Sequence, residues 1–205
     1  MKIAIIGTGI AGNVAAYHLN KKHDISVFES NDYVGGHTHT HDIELQGKQY
    51  SVDTGFIVFN HKTYPNFVKL LNQLGVSEQL STMSFGVKCQ RTGLEYMGST
   101  INSLFAQRRN LLHPAFWKML SEIMRFNREA TAVLNTDKDT IALGDYLQQG
   151  NYSRMFIDYY LVPMAAAVWS ADLQLMYQFP ARYLIGFFHN HGSLSVNNRP
   201  DWYVI

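Results

Sequence analysis

The first thirty residues alternate apolar runs with helically spaced small residues. Lys2-Ile3-Ala4-Ile5-Ile6 is a continuous β-rich run that ends on Gly7, the pattern of a buried strand rather than of a half-exposed one. From Ala11 to Leu19 small and apolar residues follow at helical spacing, and Asn20-Lys21-Lys22 closes the segment. Ile25-Ser26-Val27-Phe28 is a second short strand, closing on Glu29. Strand, helix and strand in so short a stretch have one common solution, a right-handed crossover joining parallel strands. The expected fold class is therefore α/β, a Rossmann-like sheet with helices on its faces.

Residues 38–60 alternate in the strand manner, and Gly47-Lys48 suggests the turn of a hairpin. Tyr64-Pro65 opens a helix that carries Phe67, Leu70, Leu71 and Leu74 on one face, with Gly75 as its terminator. A second hairpin is expected over 84–97, turning near Thr92-Gly93. The texture changes after Arg108-Arg109. From Pro114, a helical period through Phe116, Trp117, Leu120, Ile123, Met124, Asn127, Ala130 and Val133-Leu134 predicts about five turns. Another helix runs through Phe156, Tyr159, Tyr160 and Leu161 and on past Pro163. The expected organisation is a dinucleotide-binding domain with inserted hairpins at 1–108 and a mainly helical substrate or cap region at 109–205. The apolar end Trp202-Tyr203-Val204-Ile205 has no polar tail; such an end belongs inside a sheet, so the chain reads as a fragment with an incomplete cap region.

Composition narrows the class of partner. The 205 residues are 46% hydrophobic and 16% charged, enough for one large domain or one and a half smaller ones. Seventeen Lys and Arg nearly cancel sixteen Asp and Glu, so no global field recruits nucleic acid or an anionic membrane. A small-molecule partner is expected. The lone cysteine, Cys89, excludes an internal disulfide framework and a multi-cysteine metal site, and a reducing compartment follows as the simplest assumption. Its setting, Phe85-Gly86-Val87-Lys88-Cys89, reads as strand and gives the thiol a packing role. Gly7 and Gly9 interrupt the opening run short of a signal-peptide core, and no run approaches the ~18 apolar residues of a membrane span. A cytoplasmic protein is expected.

The chemistry concentrates at Gly7-Thr8-Gly9-Ile10-Ala11-Gly12, a G-x-G-x-x-G directly after a strand and opening a helix. Gly7 permits a tight turn, Gly9 lets a pyrophosphate approach the backbone, and Gly12 lets the helix press on the strand. The N–H groups of Ile10 and Ala11 then face the phosphates at the positive helix end. Glu29 ends the second strand, where a carboxylate accepts both ribose hydroxyls of an adenosine and repels a 2′-phosphate. Dinucleotide binding is the reading these residues carry together, with NADP disfavoured.

The stretch Glu29-Ser30-Asn31-Asp32-Tyr33-Val34-Gly35-Gly36-His37 resembles the extended fingerprint of the flavin-containing amine oxidase superfamily, in which the ribose-binding Glu is followed by Gly-Gly-Arg. Asp53-Thr54-Gly55-Phe56 is similar to that family's acidic-x-Gly segment beside the flavin ring. The resemblance implies FAD, held by Gly7, Gly9, Ile10, Ala11, Gly12, Glu29, Ser30, Gly35, Gly36, His37, Thr54, Gly55 and Phe56, in a Rossmann-like domain of the GR2 type. His37 departs from the family's Arg: a neutral imidazole still donates one hydrogen bond, but the fixed charge is lost. The resemblance extends to a branch of predicted bacterial FAD/NAD-binding amine-oxidase-like proteins through residues 53–60, Pro163-Met164-Ala165-Ala166-Ala167-Val168-Trp169-Ser170, Phe188-His189-Asn190-His191-Gly192 and Arg199-Pro200-Asp201-Trp202. In that branch a C-terminal half, absent here, returns to close over the flavin and carries a lysine that matters in some amine oxidases.

Other residues invite other chemistry. His37, His39 and His41 share one face of a strand, but same-face residues lie ~7 Å apart by rise and converge poorly on an ion; no metal is expected. His189 and His191 are either satisfied structural residues or, as the resemblance places them, proton-handling groups on the substrate side. The aromatic run Tyr159 to Met164, with Trp169, Met176, Tyr177 and Phe179, reads as helical core or as the lining of an apolar pocket. Arg108-Arg109 reads as a solvated turn. No Ser-His-Asp order and no P-loop is present. The function expected is an FAD-dependent oxidoreductase acting on an apolar or amine-bearing small molecule, with no catalytic residue assigned. The alternatives are a truncated nucleotide-binding module without turnover and an NAD-dependent dehydrogenase.

Overall fold

A computed structural model describes residues 1–136, 141–169, 171–195 and 200–205. The chain divides into two compact units, Met1–Phe59 with Tyr203–Ile205, and Asn60–Trp202. The change of texture after Arg109 thus marks where the chain becomes mainly helical, from Pro114 on, whereas the compact units divide after Phe59.

In the first unit β1 (Lys2–Ile6) and β2 (Asp24–Phe28) pair in parallel, with Lys2 opposite Asp24 and Ile6 opposite Phe28. Helix α1 (Ile10–Leu19) makes the crossover. Small side chains at Ala11, Gly12, Ala15 and Ala16 let it lie close to both strands. The other side of the pair is bare: Ile6 is 81% exposed and Phe28 56%. Among the described residues of this unit α1 is the only helix, so one face of the sheet is covered where helices on both were expected. β3 (Thr40–Leu45) and β4 (Lys48–Asp53) form an antiparallel hairpin. Its two-residue turn is Gln46-Gly47, with φ of 54° and 75°, one position earlier than expected. A two-residue hairpin turn needs positive φ at both central residues, and Gly47 supplies the second at no steric cost. The unit closes on reciprocal backbone bonds between Phe59 and Tyr203, 3.0 and 2.8 Å.

The second unit holds the large core, in which Phe116, Met119, Phe126, Phe156, Leu161, Leu184 and Phe188 are essentially inaccessible. Helix α2 (Pro65–Leu74) starts on proline and ends at Gly75 in the left-handed conformation, φ 67°. The strand β5 (Gln79–Ser81) precedes the second hairpin, β6 (Gly86–Lys88) with β7 (Glu95–Met97), which turns through Gly93 at φ 67°. A short helix α3 (Ile101–Leu104) carries a Thr100/Ser103 capping box. Arg108 and Arg109 open a 3₁₀ turn and are engaged rather than simply solvated. Arg109 Nη2 donates to the Gly93 carbonyl at 2.7 Å, and Arg108 binds the Phe105 carbonyl and Asn102. Helix α4 (Pro114–Glu129) tightens into a 3₁₀ segment, Ala130–Asn135, so the expected five turns are shared between two geometries. A tightened last turn is a common way to occupy terminal carbonyls.

After α5 (Leu143–Gln149) the chain forms one continuous helical stretch: α6 (Arg154–Phe156), a π segment at Ile157–Leu161, and α7 (Val162–Trp169). Its start is fixed by Ser153, whose side chain accepts from the Phe156 N–H. The buried Glu122 of α4 in turn accepts from the Ser153 N–H at 3.1 Å and from its hydroxyl. Pro163 sits inside the stretch and has no N–H, which removes the α-helical partner of the Tyr159 carbonyl. The buried Tyr96 of β7 supplies the donor instead, its hydroxyl 2.6 Å from that oxygen. Burial pushes the Tyr96 phenol well above its ordinary range. Helices α8 (Leu173–Gln178) and α9 (Ala181–Asn190) and the strand β8 (Trp202–Val204) complete the element order.

Replacing Tyr96 by Phe leaves the Tyr159 carbonyl without its donor in a low-polarity setting. The expected loss is about 1–3 kcal/mol of stability, read as a lower urea midpoint with an unchanged slope.

Candidate functional site

The glycine-rich turn joins β1 to α1 and shows what each glycine contributes. Gly7 adopts φ 90° and donates its N–H to the Phe28 carbonyl at 2.7 Å, tying the turn to the end of β2. A Cβ on Gly12 would stand 2.0 Å from the Gly7 carbonyl oxygen, so α1 can reach the strand only without one. Gly9 is the N-cap of α1, and a Cβ there would meet nothing within 4 Å. The space over Gly9 is open where a pyrophosphate would approach. No side chain caps this helix end and no acidic residue lies in its first turn, so its first N–H groups, those of Ile10 and Ala11 among them, keep their affinity for an anion.

Glu29 lies beside this turn. Its Oε2 accepts from the Thr8 N–H at 2.8 Å and from the Thr8 hydroxyl, and its Oε1 accepts from the N–H groups of Ser30 (2.8 Å) and Asn31 (3.0 Å). The Thr8 hydroxyl first, then the backbone N–H groups, hold the carboxyl down at about 2. Glu29 is therefore ionised throughout the neutral range, as a ribose acceptor must be. Hydroxyls of Thr8 and Ser30 take acceptor positions that ribose hydroxyls would claim; both can rotate away and leave the backbone bonds intact. The residues fit the adenosine half of a dinucleotide.

The segment 33–37 folds onto the same turn. The Gly35 N–H donates to the Thr8 carbonyl at 3.1 Å, which also accepts from Asn13 Nδ2 at 2.8 Å. A Cβ on Gly36, at φ 64°, would meet the Gly9 Cα at 2.8 Å. Gly55 is closer still to His37: its Cβ would lie 1.9 Å from the His37 carbonyl oxygen. Thr54 donates both its N–H and its hydroxyl to the His39 carbonyl, at 2.9 Å each. Phe56 holds a left-handed backbone, φ 52°, and is 38% exposed; strain of this kind in a non-glycine residue collects at functional sites. The thirteen residues singled out by motif and resemblance thus form one connected group in the first unit. Thr8 and Asn13 belong to the same network and carry no assignment from the motif. A hydroxyl at the second position of G-x-G, one strand away from an acidic residue, is the signal that points to Thr8.

The histidines differ in their surroundings. Tyr33, His39 and His41 stack with ring centroids 4.2 and 3.9 Å apart. Among the described residues no group of three or more His, Cys, Asp or Glu is placed to hold a metal ion. His189 is exposed at the end of α9. Both ring nitrogens of His191 are engaged, Nδ1 with the Phe187 carbonyl at 2.9 Å and Nε2 with the Tyr64 hydroxyl at 3.2 Å, and burial raises the Tyr64 phenol above its ordinary value. Ser170 and Arg199, parts of two of the stretches that carry the resemblance, lie outside the described residues.

The aromatic run divides between its two readings. Leu161 and Met176 are buried, and Tyr160, Met164, Trp169 and Phe179 pack on the core. Tyr159, Pro163 and Tyr177 line an open cleft of about 1010 Å³ in the second unit. Cys89 lines it too, its thiol held below the ordinary range chiefly by the Thr92 hydroxyl and then by backbone bonds.

Comparison with known proteins agrees with this geometry. The NAD(P)-binding Rossmann-like domain matches residues 5–74. A 1-hydroxycarotenoid 3,4-desaturase of Flavobacterium sp. (strain P99-3) is 49% identical over 74 residues, 36% of this chain and 14% of that protein. The flavin-dependent L-tryptophan oxidase RebO of Lentzea aerocolonigenes is 32% identical over 80 residues, 38% of this chain and 17% of that protein. Wild-type putrescine oxidase bound to putrescine superposes over 100% of this chain with a TM-score of 0.60 at 19% identity, and the chain spans 47% of it. The chain therefore has a Rossmann-like region and a fold shared with about half of putrescine oxidase, and it spans less than half the length of each of these relatives.

Because the Glu29 carboxyl sits below its ordinary 4.5 in the folded protein, its contribution to stability is present above that value and is lost as pH falls through about 2. NMR titration of the Glu29 side-chain carbonyl is expected to give a midpoint near 2. In Thr8→Val, which removes the largest cause, the midpoint moves up toward 4.5.

Proposed function

We propose that this chain, with its Rossmann-like domain and its fold shared with about half of putrescine oxidase, is the FAD-binding part of an oxidoreductase acting on an apolar or amine-bearing small molecule. The observation that carries the reading is the ionised Glu29 anchored on Thr8, beside an open Gly9 at the uncapped start of α1. Glu29 and Ser30 would take the adenosine ribose. The N–H groups of Ile10 and Ala11, with Gly7, Gly9 and Gly12 shaping the turn, would take the pyrophosphate. Gly35, Gly36 and His37, with Thr54, Gly55 and Phe56 packed beside them, would extend the contact toward the ring system. Flavin, when bound, supplies the redox chemistry, the uptake of a hydride or an electron pair.

Several observations favour FAD over NAD. Gly36 and Gly55 give close backbone approaches beyond the dinucleotide turn, and the tryptophan oxidase that matches this region is flavin-dependent. Oxidation or desaturation of a C–N or C–C bond is the reaction class, supported by what the relatives are: a desaturase, an L-tryptophan oxidase and a putrescine oxidase. In this reading residues 1–108 hold the nucleotide and 109–205 contribute the substrate side. Cytoplasmic action is part of the proposal, supported by the single free cysteine; no helix among the described residues is long and apolar enough to cross a membrane. The second reading is a nucleotide-binding module without turnover.

Purified protein incubated with FAD is expected to hold flavin absorbance through gel filtration. Glu29→Ala should weaken FAD binding about tenfold, the loss of a charge-assisted pair of hydrogen bonds. Gly9→Val, which fills the open space, should abolish it. Protein that stays colourless at saturating FAD, or that exchanges FAD for NADH, overturns the proposal. Anaerobic bleaching of bound flavin by putrescine or L-tryptophan supports turnover, and binding without bleaching supports the module.

A further inference from the structure

The cleft in the second unit has an apolar floor and an unbalanced charge. Val87, Val162, Pro163 and Leu173 provide the apolar surface, with the rings of Tyr159 and Tyr177 beside them. Three cations line it, and two have carboxylate partners: Lys88 Nζ lies 3.5 Å from Glu95, and Arg154 4.0 Å from Asp158, which also accepts from the Tyr177 hydroxyl at 2.9 Å. Arg91 has no carboxylate within 4.0 Å among the described residues. It donates through Nη2 to the Tyr159 hydroxyl oxygen at 3.2 Å. Tyr159 is fixed from its other end, since its carbonyl accepts from Tyr96 and it lies in the π segment. Its phenol oxygen accepts from Arg91, so its own O–H proton is left to donate. A guanidinium fork and a phenol O–H, side by side at the edge of an apolar floor, form a donor pair for one anionic group. π turns of this kind are often retained at functional sites.

We propose that this cleft binds a small amphipathic monoanion, a carboxylate whose apolar body lies on Val87, Val162 and Leu173 and whose oxygens meet Arg91 and Tyr159. The planar guanidinium pairs bidentately with a carboxylate. One positive charge faces the cleft without a carboxylate partner, which matches a monoanion and leaves a phosphate monoester dianion half-compensated. All of these residues lie in Asn60–Trp202, so the site stands independently of the dinucleotide reading.

Calorimetric titration of the full chain with 3-phenylpropionate, 3-phenylpropanol, 3-phenylpropylamine and 3-phenylpropyl phosphate tests it. The carboxylate is expected to bind at least about tenfold tighter than the alcohol, the size of one charge-assisted contact. Arg91→Gln should erase that preference while leaving FAD uptake unchanged. Arg91→Lys, which keeps the charge but loses the fork, should retain part of it, and Tyr159→Phe should reduce it about threefold. Circular dichroism checks that each variant is folded. Equal binding of carboxylate and alcohol, tighter binding of the amine or the phosphate, no binding of any probe, or an undiminished preference in folded Arg91→Gln each overturns the proposal. Because FAD uptake is measured in the same samples, failure here is separable from failure of the flavin reading.

Discussion

The approach of α1 to the end of β1 is the constraint on which the first unit depends. With 2.0 Å between the position of a Cβ on residue 12 and the Gly7 carbonyl oxygen, any larger residue would push the helix off the strand. That contact aims the start of α1 at the Thr8-Gly9 turn. From it the rest follows by hydrogen bonding: the Thr8 carbonyl collects Asn13 and Gly35, while the Thr8 N–H and hydroxyl collect Glu29. One residue, Thr8, thus couples the helix, the second strand's acidic end and the Gly35-Gly36 segment. The site is preorganised by backbone groups, which cost no side-chain entropy to align.

The second unit is organised by a different need, the satisfaction of buried polar groups inside an aromatic and Met-rich core. Pro163 interrupts the helical ladder, and Tyr96 repairs the interruption from a neighbouring strand. Glu122, buried in α4, is matched to the Ser153 hydroxyl and N–H where the next helix begins. These two pins fix the start and the middle of the stretch from Arg154 to Trp169. The middle is also where the cleft lies, so the repair that tolerates the proline also holds Tyr159 against it.

Periodicity made much of this legible. β1, α1 and β2 fall within a residue of their expected places because continuous β-rich apolar runs and small-residue helices differ in composition as well as in period. Gly75 ends its helix and Gly93 turns its hairpin as expected, since a left-handed backbone is inexpensive only for residues of their kind. The hairpin turn slipped by one position because Gln46 takes a positive φ that its type does not advertise. From Pro114 the apolar spacing predicts about five helical turns without separating α from 3₁₀ geometry, because both present nearly the same spacing over so short a span.

The sequence by itself determined the glycine-rich turn between β1 and α1, the acidic residue beside it and the group of glycines around them, because the steric demands met by glycine are local and written in residue type. Only the tertiary structure decided which side chains face each other across distant segments. It put the Thr8 hydroxyl on Glu29, stacked His39 on Tyr33, and tied Arg109 to the Gly93 turn. It also set Arg91 on Tyr159, with no carboxylate within 4.0 Å among the described residues. Such pairings arise from how elements pack, and no local pattern along the chain encodes the distance between residues 68 positions apart.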